Sequence, residues 1–426
     1  MLSQGNCNWI ERRCTLIQES KQDFTYIDLF SGCGGLALGM HQAGWKAHFA
    51  IEKNADAFET LRFNLIEKEN HFIWPEWLSE SVHDINEVLQ GHEKELRALR
   101  GKIMLVAGGP PCQGFSMAGR RKENDIRNTL VDSYLHFIDL VAPDSLLFEN
   151  VKGFTQPFNS CAEDNQGKNY SEYILEELRA RGYIVRAQML DFSKYGVPQR
   201  RVRFILFASK IVDPNVFFET LAGNVKIFVK SKGIPRRVCL KSAISDLEKV
   251  NGQQCCPDSK GFMSGQYGSP KTSYQHYCRN GARKGRVPDS HRFARHRDNT
   301  VVRFQELLER DIRDRNISRL LNEQYCIKKN CFSVLNAKLP SPTLTSNPDD
   351  HIHYCEPRTL TVREYARIQS FPDWYEFKGT YTTGGDLRKS DVPRYTQIAN
   401  AIPPLFAEQV GLTLKQLLIM KNTAFE

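Results

Sequence analysis

Three short stretches of the chain combine residue types that can do chemistry. Gly108-Gly-Pro-Pro-Cys-Gln-Gly-Phe-Ser116 follows an apolar run. Its two prolines fix the backbone ahead of Cys112 and its glycines clear space around the thiol. That setting suits a nucleophile, although a buried inert thiol is the commonest fate of a free cysteine. Glu149 closes the apolar strand Leu146-Leu-Phe148, where a carboxylate can bind a ligand or move a proton. In Gln199-Arg-Arg-Val-Arg203, strand alternation puts Gln199, Arg201 and Arg203 on one side and Arg200 and Val202 on the other.

A fourth stretch, Phe30-Ser-Gly-Cys-Gly-Gly35, ends a strand and opens a helix. Glycines let a ligand approach the backbone there, and a helix N-terminus offers free N–H groups. The positions of Gly32, Gly34, Gly35 and Gly39 miss the G-x-G-x-x-G register of a dinucleotide site. Glu52, at the end of the next strand, can take both hydroxyls of a ribose, and Asp84 can accept from an adenine amino group. S-adenosylmethionine has adenine and ribose but no pyrophosphate, and it fits this set best. A dinucleotide and a purely structural turn are the two other readings.

These residues need a scaffold that gathers them. Strand, turn and helix alternate about seven times over some 200 residues, the pattern of a doubly wound α/β sheet with helices on both faces. Strands are expected at Phe24–Phe30, Lys46–Ile51, Ile103–Gly108, Ser145–Phe148, Tyr183–Leu190 and Arg203–Ala208, with a strand end near Ser81–Ile85. Ligands in such sheets lie beyond the carboxyl ends of the strands, where Asp28, Glu52, Asp84, Pro110 and Glu149 fall. From about 215 the pattern becomes irregular and rich in Gly, Pro, Arg and Lys. It recovers after 355, with a helix at Thr361–Gln369 and a long last helix at Pro404–Lys421.

Whole-chain numbers add limits. The 426 residues carry 58 Lys+Arg and 49 Asp+Glu, a formal charge of +9. Residues 271–320 hold 13 basic and 6 acidic residues, a local +7, so most of the excess is concentrated in the irregular part. That favours a polyanionic partner. The 12 cysteines are scattered, the first residues lack the apolar run of a signal peptide, and no stretch reaches the ~20 apolar residues of a membrane span. A reducing bacterial cytoplasm, with no membrane association, is the expectation. Cys255-Cys256, Cys278 and His276 do not complete a zinc pattern, and no metal is expected.

In combination and order, the four motifs closely resemble those of the C5-cytosine DNA methyltransferases of bacterial modification systems. Arg358-Thr-Leu-Thr-Val-Arg-Glu-Tyr-Ala-Arg-Ile-Gln-Ser-Phe-Pro-Asp373 and Arg394-Tyr-Thr-Gln-Ile-Ala-Asn-Ala-Ile-Pro-Pro404 extend the resemblance. It covers about 24–210 and 340–415.

The resemblance implies a Rossmann-like S-adenosylmethionine-dependent catalytic domain, 1–214 completed by 396–426. A smaller, irregular target recognition domain would span 215–395. It implies Cys112 as nucleophile, Glu149 at cytosine N3, Arg203 at O2 and Arg201 as a support of the active-site geometry. The donor would be held by Phe30, Gly32, Gly34, Glu52, Asp84, Ile85, Pro110, Leu130 and Asn400, with S-adenosyl-L-homocysteine as product. Asn150 would orient the Pro-Cys loop. Gln113 would fill the space of a flipped base, and Ser116 would face the DNA.

Arg279, Arg283, Lys284, Arg292, Arg295 and Arg303 belong to the pool of expected duplex contacts. The chain would act as a monomer on double-stranded DNA, alongside a cognate restriction endonuclease. A transfer RNA methyltransferase on the same fold and a DNA-binding module without catalysis are the alternatives. The polar first 23 residues and the long gap from Glu52 to Asp84 depart from the compact family pattern.

Overall fold

The computed structural model describes residues 24–111, 129–156, 169–282, 285, 287–382 and 391–423. Six strands form the central sheet: β1 (Thr25–Leu29), β2 (Lys46–Ile51), β3 (Leu105–Gly108), β4 (Ser145–Val151), β5 (Ile184–Asp191) and β6 (Val202–Ser209). Their order is β2-β1-β3-β4-β6-β5. The pairs β1–β2, β1–β3 and β3–β4 are parallel, whereas β6 runs antiparallel to both neighbours. This is the expected helix-covered α/β sheet. Every residue of β3, Leu-Val-Ala-Gly, is buried, as suits a central parallel strand covered on both faces.

The strand end expected near Ser81–Ile85 is not a strand. Asp84 instead caps the helix Ile85–Gly91, its Oδ1 accepting from the Asn86 N–H at 2.9 Å. Ahead of it, the helix Ala55–Leu61 runs into a π-helical stretch, Arg62–Lys68. Phe72 then makes a parallel bridge to Ala47 of β2. The long gap between Glu52 and Asp84 therefore supplies the outer flank of the sheet.

The last helix, Pro404–Thr423, packs on the helix Gly35–Gln42. The approach is close enough that a Cβ at Gly39 would stand 2.4 Å from both Pro404 O and Ala407 Cβ. The helix Pro214–Ser231 also lies on the sheet, with Phe217 stacked on Phe207 of β6 at 4.0 Å. The change of pattern at 215 thus falls inside a helix of the main body, and the apolar core continues through Leu240, Ala243 and Leu247. A separate small core of Phe304, Leu307, Leu308, Ile317, Leu321, Phe332, Val334 and Ile352 marks a second packing unit.

An ionic cluster surrounds the helix Val362–Ile368, whose apolar residues belong to the main core. Arg358 makes a bidentate pair with Glu364, and Arg367 is bound by Asp246 and Asp373, all buried. Arg363 donates to Asp289 and to the carbonyls of Pro372 and Tyr375. Among the described residues, no helix is long and apolar enough to cross a membrane.

Candidate active site

The carboxyl edge of the sheet gathers the motif residues in one row. After β1 the chain turns through Phe30, Gly32 and Gly34 with φ of 56°, 55° and 83°. These left-handed values favour glycine at two of the three positions. The turn is fixed by Glu52: Gly32 N–H donates to its Oε2 at 2.9 Å, and Asn54 N–H to its Oε1 at 2.7 Å. His83 N–H donates to the Glu52 carbonyl at 2.9 Å, which brings the Asp84 segment alongside. Lys53 reaches the other Asp84 oxygen at 3.4 Å. Phe30 and Leu130 pack against the apolar cluster that contains Ile85.

The row continues across β3. Leu29 pairs with Gly108, and a Cβ at Gly108 would lie 1.9 Å from Leu29 O. One at Gly109 would lie 2.0 Å from Glu149 O. Both glycines are therefore required by backbone approach, and they deliver Pro110 to the edge of β4. Asn150 is buried there, with Nδ2 3.4 Å from the Pro110 carbonyl it donates to. Register places Val151 of β4 opposite Arg203 of β6, and Arg203 Nε reaches Glu149 Oε1 at 3.0 Å. Both side chains remain partly accessible, 11% and 17%. Gln199 and Arg201 are buried while Val202 is exposed, as the alternation requires.

Asn400 is exposed at the end of the helix Arg394–Asn400. The residues that follow it reach the glycine turn, since a Cβ at Gly35 would stand 2.4 Å from Ile402 O. From the same helix, the carbonyl of Gln397 accepts from Cys33 Sγ at 3.4 Å, and its side chain accepts from Thr60 Oγ1 at 2.7 Å. Tyr375 donates to the Cys33 carbonyl at 2.6 Å. Gln397 and Tyr375 hold the turn from the far end of the sequence, and sequence spacing alone does not show that.

A family model of the C-5 cytosine-specific DNA methylases matches residues 24–416. The chain belongs to that family. It is 30% identical over 400 residues to the type II methyltransferase M.DdeI of Desulfomicrobium norvegicum, covering 90% of this chain and 87% of that protein. It is likewise 30% identical to the type II methyltransferase M.BspRI of Lysinibacillus sphaericus, over 94% and 83% of the two chains. A crystal structure of a DNA modification methyltransferase encoded within an E. coli prophage shares the fold. Its TM-score is 0.61 at 23% identity, with 93% of this chain and 99% of that one covered. The protein is an S-adenosylmethionine-dependent DNA (cytosine-5)-methyltransferase.

The methyltransferase also carries a buried carboxylate in the strand that leads into the glycine turn. Asp28 stands inside β1, 1% exposed, and its Oδ2 has no hydrogen-bond partner among the described residues. Burial and the nearby Glu52 carboxylate hold its pKa well above the ordinary carboxylate range. Burial raises Glu52 as well. A lone carboxylate in the apolar run Tyr-Ile-Asp-Leu is the sequence signal that marks Asp28.

The basic residues separate by environment. Arg279 turns inward, donating to Asp246 Oδ2 at 2.5 Å and to Gly268 O at 2.6 Å, with its guanidinium over Tyr267. Its guanidinium is thus paired within the protein, unlike that of Arg295 among the described residues. Arg292 is half-buried, Arg295 is exposed, and Arg303 lies near Phe304 and Tyr325. Cys112, Gln113, Ser116, Arg283 and Lys284 lie outside the described residues.

Proposed function

We propose that Cys112, Glu149 and Arg203 carry the reaction on a cytosine flipped out of duplex DNA, with Arg201 supporting their strand. The observation that carries this reading is the Glu149–Arg203 pair beside Pro110, whose carbonyl is held by Asn150. A carboxyl group and a guanidinium side by side match the adjacent N3 and O2 of the cytosine ring. A base stacked in a duplex cannot be reached on its ring face, which is why it must leave the stack.

Cytosine C5 is a poor nucleophile. Addition of the Cys112 thiolate to C6 forms a C–S bond and moves the ring electrons toward C5. Glu149 shares a proton with N3 and Arg203 donates to O2, so both oppose the charge that builds on the ring. S-adenosylmethionine, when bound, supplies an electrophilic methyl group for C5. Loss of the C5 proton to a base then expels Cys112 as thiolate and restores the aromatic ring.

Phe30, Gly32, Gly34, Glu52, Asp84, Ile85, Pro110, Leu130 and Asn400 hold the donor, with Glu52 on the ribose and Asp84 on the adenine. Gln113 fills the gap left by the flipped base, and Ser116 faces the DNA. The second unit, rooted after Leu247 and centred on the small core, reads the target, with Arg292, Arg295 and Arg303 described on it and Arg283 and Lys284 in its sequence. Its closing boundary falls before the helix Arg394–Asn400. The enzyme works as a monomer in a bacterial cytoplasm beside a restriction endonuclease of the same site, as the type II names of its relatives suggest.

Transfer of labelled methyl from S-adenosylmethionine to duplex DNA and to transfer RNA tests the substrate, followed by bisulfite sequencing of the DNA. Label in C5 of cytosine at one short sequence is the expected result. Label in RNA alone would overturn it.

A further inference from the structure

A ladder of alternating cations and rings joins three separate segments of the second unit. The Arg295 guanidinium carbon lies 4.8 Å from the Phe262 ring centre, and that of Arg292 lies 4.1 Å from the same ring. Arg292 is also 3.7 Å from the ring of Tyr381, which Arg394 approaches at 4.2 Å. Gly261, at φ 79°, leaves the space Arg295 needs, since a Cβ there would stand 2.8 Å from Arg295 Nη2.

The acidic partner of this ladder is already engaged. Asp258 Oδ2 takes Arg394 Nη1 at 2.7 Å, and both its oxygens accept from Tyr381 OH at 3.0 Å. Arg394 also donates to Gly379 O and Ser290 Oγ. Among the described residues, Arg292 donates only to Ser259 Oγ, at 3.2 Å, and neither Arg292 nor Arg295 has an ion pair. Two guanidinium groups are thus gathered at the surface, stiffened by rings and left with open donors. Like charges held close without a carboxylate call for an anionic ligand, and a guanidinium fork matches phosphate oxygens. Ring stacking holds the forks in place before the ligand arrives, which lowers the ordering cost of binding.

We propose that Phe262 and Tyr381 are positioning residues that present Arg292 and Arg295 to the phosphodiester backbone of the bound duplex. The inference rests on the reading of the second unit as the DNA-facing one. It also explains why Arg279, in the same basic stretch, is not equivalent.

The test is duplex binding by the full chain across a salt series, for wild type, R295Q, F262L and F262W. Each lost phosphate contact should reduce the steepness of the fall of log K with log salt by ~0.9. R295Q should lose about one such step. F262L, which keeps every charge, should lose between one and two steps, and F262W should keep the wild-type slope. Binding of S-adenosylmethionine without DNA should be the same in all four, which reports folding. Wild-type slopes in both R295Q and F262L would overturn the proposal. A wild-type chain that does not bind duplex at all would instead overturn the DNA-facing reading beneath it.

Discussion

Asp28 is buried among apolar neighbours, so its ionisation works against folding. Its pKa is shifted upward, and folding therefore takes up a proton. The group costs nothing below the ordinary carboxylate range, about pH 4, and stability falls as pH rises toward the shifted value. Asp28→Asn should raise the melting temperature at neutral and alkaline pH, with the gain fading toward pH 4. An equal gain at every pH would refute the assignment of the cost to the charge. Glu52 has the same direction of shift but accepts two backbone N–H groups. Glu52→Gln should weaken donor binding by about 10–100-fold, the worth of one to two charge-assisted hydrogen bonds, as calorimetry would show. Motif order picks out Glu52 directly. Asp28 is harder to read, because an acid within a strand looks the same on the page whether or not it has a partner.

The helix Gly35–Gln42 shows what sequence pattern can and cannot show at the next level. Its start after the glycine turn is legible, and so is the alternation that builds the sheet. Its partner is not, because the helix it touches lies more than 360 residues away and its apolar surface has no signature of its own. Gly39→Ala would drive a methyl group into Pro404 and Ala407, at an overpacking cost of about 1–3 kcal/mol in urea unfolding. A neutral substitution would mean the two helices are not packed as described. The strand expected at 81–85 failed for a related reason. Asp84 is followed by a helix that it caps, and short polar caps and strand ends share residue types. At 215 the change of sequence pattern coincides with the amphipathic helix Pro214–Ser231, whose Phe217 stacks on Phe207 of the sheet.

Buried charges join the two packing units as well as apolar contacts, since Tyr274, Leu335 and Tyr354 share the core of Phe207 and Phe217. Arg367 is fully enclosed and bound by Asp246 and Asp373. Arg367→Met would leave Asp246 to Arg279 alone and strip Asp373 of its bidentate partner, costing about 3–5 kcal/mol and unfolding both units together. Loss of the second unit alone, with the sheet intact by hydrogen exchange, would show the joint to be weaker than its ion pairs suggest. The positive excess of the chain does not lie in this joint, where arginine and carboxylate balance. It lies on the outward residues of the second unit, around Arg292 and Arg295. A composition count finds the stretch but cannot separate Arg279, bound to Asp246, from Arg295, which is exposed.

Covalent attack by Cys112 can be observed directly. Duplex DNA in which 5-fluorocytosine replaces cytosine should arrest the reaction after methyl transfer, because fluorine at C5 cannot leave as a proton does. The wild-type chain with S-adenosylmethionine should form an adduct that survives denaturing electrophoresis, with the modified cysteine placed at 112 by peptide mass. Cys112→Ala should form none, and its turnover on ordinary DNA should fall by roughly 10³-fold or more, the scale on which loss of a nucleophile is felt. An adduct at another residue, or methyl transfer that survives Cys112→Ala, would contradict the mechanism.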